Sequence, residues 1–125
     1  MPDAELDGNG KRDMTDEQLG RAVALGPMGW HLRDSQWAYY NKGGQYVTKR
    51  TNWRPGYDAQ DTKRLKDRMR ELRYWFVITT SLNGFTVRMG SLDTPLGQTP
   101  FMASNDTEER AFCLAALGAT APENA

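Results

Sequence analysis

Apolar positions fall at helical spacing in three stretches of the chain, and β-branched and aromatic runs fill the intervals between them. The first helix is predicted to begin at Thr15-Asp16-Glu17-Gln18, because a threonine followed three residues later by a glutamine can form a capping box, with Met14 available as a staple. Leu19, Ala22 and Val23 give it one apolar face, and Gly26-Pro27 ends it. Met28-Gly29-Trp30-His31-Leu32 reads as a short strand. Trp37-Ala38-Tyr39-Tyr40 and Gln45-Tyr46-Val47-Thr48 flank Asn41-Lys42-Gly43-Gly44 and read as a hairpin. Asn52-Trp53-Arg54-Pro55-Gly56 has the composition of a loop.

Asp58 is the next N-cap, opening a helix of good helix formers to Arg73, in which Leu65, Met69 and Leu72 form the apolar stripe. Tyr74-Trp75-Phe76-Val77-Ile78-Thr79-Thr80 has the composition of a central strand buried on both faces. Asn83-Gly84 turns it back onto Phe85-Thr86-Val87-Arg88-Met89. A loop rich in Pro, Gly and Thr covers residues 91–100, and Phe101-Met102-Ala103 is a last short strand. Asp106-Thr107-Glu108-Glu109 caps a closing helix with Ala111, Leu114 and Ala115 buried and Gly118 at its end. Helix, two or three strands, helix, two or three strands, helix is the pattern of an α+β fold, with an antiparallel sheet of about four to six strands and three helices. The expected domain is residues 14–118. Residues 1–13 form an acidic, flexible tail and residues 119–125 a short C-terminal one.

Several of these segments resemble one family. The helix end Ala24-Leu25-Gly26-Pro27-Met28-Gly29-Trp30, the Trp53-Arg54-Pro55-Gly56-Tyr57-Asp58 helix start and the closing Thr107-Glu108-Glu109-Arg110-Ala111-Phe112-Cys113-Leu114-Ala115-Ala116-Leu117 are similar, in that order, to the motifs of small phage-encoded proteins of the phage ABA-sandwich family. The similarity runs over about residues 15–118. It implies a phage or prophage origin and an α-β-α layered sandwich. It implies little chemistry, because those motifs are mostly structural. The strongly basic middle helix and the long loop at 91–100 depart from the family pattern, and a particular function would reside there.

Composition narrows the function classes. Of 125 residues, 38% are hydrophobic, enough for one modest core, and no apolar run approaches the ~20 residues needed to span a bilayer. The acidic start Met1-Pro2-Asp3-Ala4-Glu5 is unlike a signal or transit peptide, so the expected location is the host cytoplasm. The single cysteine excludes an intrachain disulfide, and no His/Cys/Asp/Glu spacing matches a metal site. His31 lies beside Trp30 and reads as structural, Cys113 as a buried, inert thiol, and Asp61, Asp67 and Glu71 as solvated helix positions. The glycine pairs do not make a phosphate-binding loop. No catalytic residue, metal or cofactor is therefore expected.

Binding is the better-supported class. Sixteen basic and sixteen acidic residues cancel to zero, but unevenly: residues 42–73 hold ten bases against four acids, and each end of the chain carries an acidic excess. Within the basic middle, cations alternate with rings at Tyr46, Lys49, Arg50, Trp53, Arg54 and Tyr57. On the following helix Lys63, Lys66, Arg70 and Arg73 fall along one side. The expected ligand site comprises Tyr46, Lys49, Arg50, Trp53, Arg54, Tyr57, Lys66, Arg70 and Arg73, with rings stacking a base and cations holding phosphate. The structural alternatives are that Trp53 and Tyr57 staple the loop to the core and that the helix cations are a solvated face.

One stacked base at ~1–3 kcal/mol and several charge-assisted bonds at ~1.5–3 kcal/mol each would suffice for a small anionic nucleotide. The favoured expectation is a non-enzymatic phage accessory protein that sequesters such a nucleotide, by analogy an immune signal of the host, in a pocket between protomers of a homo-oligomer. A protein-binding inhibitor of a host defence or transcription protein is the second expectation. Single-stranded nucleic-acid binding is the third; long nucleic acid is disfavoured by the acidic ends.

Overall fold

The computed structural model describes residues 14–33, 36–93 and 100–121. The expectations for the acidic tail, most of the 91–100 loop and the last four residues fall outside the described residues. Thr15 accepts from Gln18 N–H at 3.1 Å while the Gln18 side chain accepts from Thr15 N–H at 3.0 Å, so the capping box opens α1 (Asp16–Leu25) as anticipated. The chain then runs through β1 (His31–Arg33), β2 (Ala38–Tyr40), β3 (Tyr46–Lys49) and a single 3-10 turn (Arg50–Asn52) to α2 (Ala59–Glu71). Asp58 caps α2 by accepting from Gln60 N–H at 2.8 Å. After α2 come β4 (Tyr74–Ser81), β5 (Gly84–Ser91), β6 (Phe101–Asn105) and α3 (Glu108–Ala119).

The α+β architecture is as expected, with three helices and six antiparallel strands among the described residues. The strands divide into two three-stranded sheets, ordered β1-β2-β3 and β4-β5-β6, rather than joining in one. The first sheet is small because its strands are three or four residues long and β2 and β3 slip register between Tyr39 and Tyr40. The second is regular over eight residue pairs between β4 and β5.

The hydrophobic run in β4 does not make it the central strand. β5 occupies the middle, and β4 lies at an edge with Val77 44% exposed. The helices cover one face of it only. Phe76 meets Phe112 of α3 at 4.7 Å, edge to face, and Ile78, Val87, Met89 and Ala103 join the same core, whereas Val77, Thr79 and Arg88 face outward. The expected hairpin forms, but its two-residue loop is Leu82-Asn83 rather than Asn83-Gly84, and Gly84 pairs with Ser81 as the first residue of β5. Gly84 takes φ of +133° against the Asn105 backbone, which only glycine accommodates.

α3 is the centre of the molecule. Residues 111–116 are all buried, and α1, α2, β5 and β6 surround them. Gly118 does not terminate this helix, which continues to Ala119. The Phe101 ring instead lies where a Gly118 Cβ would be. Arg110 ties the two chain-distant helices together, donating to Asp16 Oδ1 at 2.9 Å and to Met14 O at 2.6 Å.

Candidate functional site

The structure separates the expected site residues into two groups. Trp53 belongs to the core. It is 2% exposed, its Nε1–H donates to Gly20 O at 3.0 Å, and its ring meets Trp30 at 4.7 Å. It staples the loop to α1 and presents no face to a ligand, which corrects the expectation that it stacks a base. Tyr57, the other proposed staple, is 70% exposed.

Most of the expected cations are already neutralised by carboxylates. Arg50 reaches Glu17 at 3.2 Å, and its Nε is buried without a partner among the described residues. Lys66 pairs with Glu108 at 2.8 Å. Asp67 accepts from both Lys63 and Arg70, and the Arg70 guanidinium also lies 5.1 Å from the Phe76 ring. Arg73 pairs with Asp93 at 3.0 Å and takes φ of +66° just beyond the helix, so it leaves the line of helix cations. Lys66 and Arg70 therefore cover the α2–α3–β4 side of the core rather than overhanging the 46–57 segment. Arg54 is exposed, and its backbone N–H donates to Asp61 Oδ2 at 2.9 Å. Asp61 is thus a structural acceptor, not a solvated position. Burial pushes its carboxyl above the ordinary range, the Arg54 N–H opposes this, Asp58 adds to it and Arg64 opposes it.

A different cluster stands out on the small sheet. Strands alternate their side chains, so Tyr39 and Tyr40 face opposite ways. Tyr39 is 1% exposed and packs on Trp30 at 6.0 Å; its phenol is pushed up by burial, against the opposing charges of Arg50 and Arg21. On the other face the register aligns His31, Tyr40 and Tyr46 in one row across the three strands. His31 lies near-parallel to Tyr40 at 6.1 Å, and Tyr46 meets Tyr40 edge to face at 6.0 Å.

The next row is Arg33, Ala38 and Lys49. The Arg33 guanidinium sits 4.2 Å from the Tyr40 ring, and Lys49 Nζ lies 5.9 Å from the ring of Trp37, which is 47% exposed. Neither cation has a carboxylate partner among the described residues. Tyr46 and Lys49 were anticipated here; Arg33, Trp37 and Tyr40 were not, and His31 was set aside as structural. The signal that reaches them is the hairpin register, which brings a ring outside the basic segment onto Tyr46.

Among the described residues no three His, Cys, Asp or Glu side chains gather as a metal site. Cys113 is fully buried, and burial pushes its thiol far up, so the thiolate is suppressed. No helix among the described residues is long and apolar enough to cross a membrane.

No family model matches the sequence, and no curated protein does either. Among solved structures, a phage protein from Bacillus cereus ATCC 14579 is similar, with a TM-score of 0.63 and 15% identity over 85% of this chain and 92% of that one. At that identity the likeness is one of fold. The ABA-sandwich family itself is not shown.

Proposed function

We propose that the chain is a phage or prophage accessory protein that acts by binding rather than catalysis, and that it sequesters a small anionic nucleotide. The carrying observation is the outer face of the small sheet. Arg33 and Lys49 share one cross-strand row without acidic partners among the described residues, Arg33 against the Tyr40 ring and Lys49 against the ring of Trp37 just ahead of β2, and both rings are at least partly open to solvent. Rings of this kind stack bases regardless of sequence, and such cations hold phosphate. Of the residues expected from sequence, Tyr46 and Lys49 remain in this contact set, with Arg54 and Tyr57 exposed nearby in the chain.

The signalling nucleotides of host immune systems are the ligands this reading favours, met in the host cytoplasm by a homo-oligomer. Calorimetric titration of such nucleotides should give saturable heat with the wild-type protein and none with Arg33→Ala/Lys49→Ala. Absence of heat with every nucleotide rejects the reading. Sedimentation of the free protein reads the oligomeric state.

A second reading rests on the outer face of β4–β6, where Val77 is 44% and Met102 58% exposed on either side of Arg88, near the fully exposed Leu82 at the hairpin tip. Such a surface fits a protein partner, as an inhibitor of a host defence protein would have. A stoichiometric protein retained from host lysate, lost with Val77→Asp and with no small molecule released on denaturation, would favour it.

A further inference from the structure

The geometry points to a ligand built of two base–phosphate units, bound across the small sheet with one unit at each edge strand. This rests on the nucleotide reading above and specifies its ligand. Two ring–cation pairs stand at the small sheet, their cations in one cross-strand row and the second ring, Trp37, just ahead of β2. Arg33 on β1 lies 4.2 Å from the Tyr40 ring, and Lys49 on β3 lies 5.9 Å from the Trp37 ring. Each pair supplies what one nucleotide unit requires: an aromatic surface for its base and a cation for its phosphate.

The spacing of the pairs argues for joint rather than separate use. Arg33 and Lys49 stand in one cross-strand row with Ala38, itself fully covered, between them, so their backbones are two strand spacings apart, ~9.6 Å. The aromatic row of His31, Tyr40 and Tyr46 lies one strand repeat away on β1 and β2, ~6.8 Å along the strand. A ribose joins a base to its phosphate over a comparable reach. A single nucleotide fills one pair and leaves the other cation against its ring. Two linked units fill both, and the second then binds as an intramolecular event at high effective concentration.

Arg33 is the cation best placed to move. Among the described residues its side chain makes one long 3.5 Å bond, from Nη2 to Gly44 O, and it is exposed. Binding would exchange its ring contact for a charge-assisted bond to phosphate while the base takes over the ring. Lys49 is likewise exposed and free to reorient on its flexible stem. The Tyr46 ring, at 80° to Tyr40, ends the aromatic row on the β3 side.

The test compares adenosine 5′-monophosphate, the 5′-phosphorylated diadenosine dinucleotide and a twelve-nucleotide single strand, each titrated calorimetrically into the intact protein. The dinucleotide is expected to bind about 100-fold more tightly than the mononucleotide. Arg33→Ala and Trp37→Leu should each bring the dinucleotide close to the mononucleotide affinity. Arg33→Lys, which keeps the charge without the planar fork, should recover part of the loss and guards against a folding defect. Mono- and dinucleotide affinities within threefold of each other overturn the two-unit assignment while leaving nucleotide binding in place. A twelve-nucleotide strand that binds far more tightly than the dinucleotide, with steep salt dependence, overturns it in favour of a polymer. No binding of any of the three removes this inference together with the nucleotide reading.

Discussion

Replacing Trp53 by phenylalanine separates the structural role of this ring from the ligand role its sequence setting invites. The substitution removes the buried Nε1–H···O bond to Gly20 and one of the two fused rings that meet Trp30. The bond contributes ~0.5–1.5 kcal/mol net. The lost ring, at ~25 cal/mol per Å2 of apolar surface with a partly filled cavity left behind, adds ~1–2 kcal/mol. The expected loss is therefore about 1.5–3.5 kcal/mol. For a domain of this size that lowers the melting temperature by ~8–15 °C. Urea unfolding followed by far-ultraviolet circular dichroism should show a lower midpoint with an unchanged slope. Nucleotide titration at a temperature where the variant is fully folded should match wild type. A variant with stability within 0.5 kcal/mol of wild type that has lost nucleotide binding would refute the assignment of Trp53 to the core.

Gly20→Ala should destabilise the protein by ~1–3 kcal/mol in the same urea assay, because the new Cβ would stand 2.8 Å from the Trp53 backbone oxygen; helix propensity alone predicts the opposite sign. Thr15→Ala should cost ~1 kcal/mol through loss of the capping box, read as a shift in urea midpoint. Asp61 has a folded-state carboxyl pKa above its unfolded value of 3.8, so its contribution is most favourable below that value and is lost as pH rises through the folded pKa. Asp61→Asn should accordingly gain stability relative to wild type as pH rises through that window, measured by denaturant midpoints at successive pH values; a constant difference would contradict the burial assigned to this carboxyl. Cys113 should not react with a thiol reagent in the native protein and should react fully in denaturant, as expected for a thiol at 0% exposure.

Local chemistry was legible in the sequence wherever one residue answers to one neighbour. The Thr15–Gln18 box, the Asp58 cap, the β4–β5 hairpin and the apolar face of α2 depend on contacts within a few residues, and all are present. What depends on distant neighbours was less legible. Tyr74–Ser81 has the composition of a buried central strand, yet the strand order puts it at an edge, and the helices cover one face of it only, at Phe76 and not at Val77. Counting charges located the basic segment but not its partners. Glu17, Glu108 and Asp93 come from remote parts of the chain to neutralise Arg50, Lys66 and Arg73. The ring–cation pairs were half legible. Tyr46 and Lys49 lie inside the basic segment, while Arg33, Trp37 and Tyr40 reach them only through the register of a short, bulged sheet.

The position of α3 at the heart of the core fixes an order of events in folding. Every strand precedes it in the chain, yet Phe76, Ile78, Val87 and Met89 have no cover until Phe112 and its neighbours arrive. The β4–β5 hairpin forms from local contacts and then waits as a half-finished surface. Two requirements follow for the same helix: α3 must be made before the hairpin's apolar side finds another molecule, and Arg110 must find Asp16 across 94 positions of sequence before the first helix is held in place. Variants that slow the docking of the closing helix should therefore increase aggregation during refolding more than they lower equilibrium stability, a difference read by light scattering during dilution from urea.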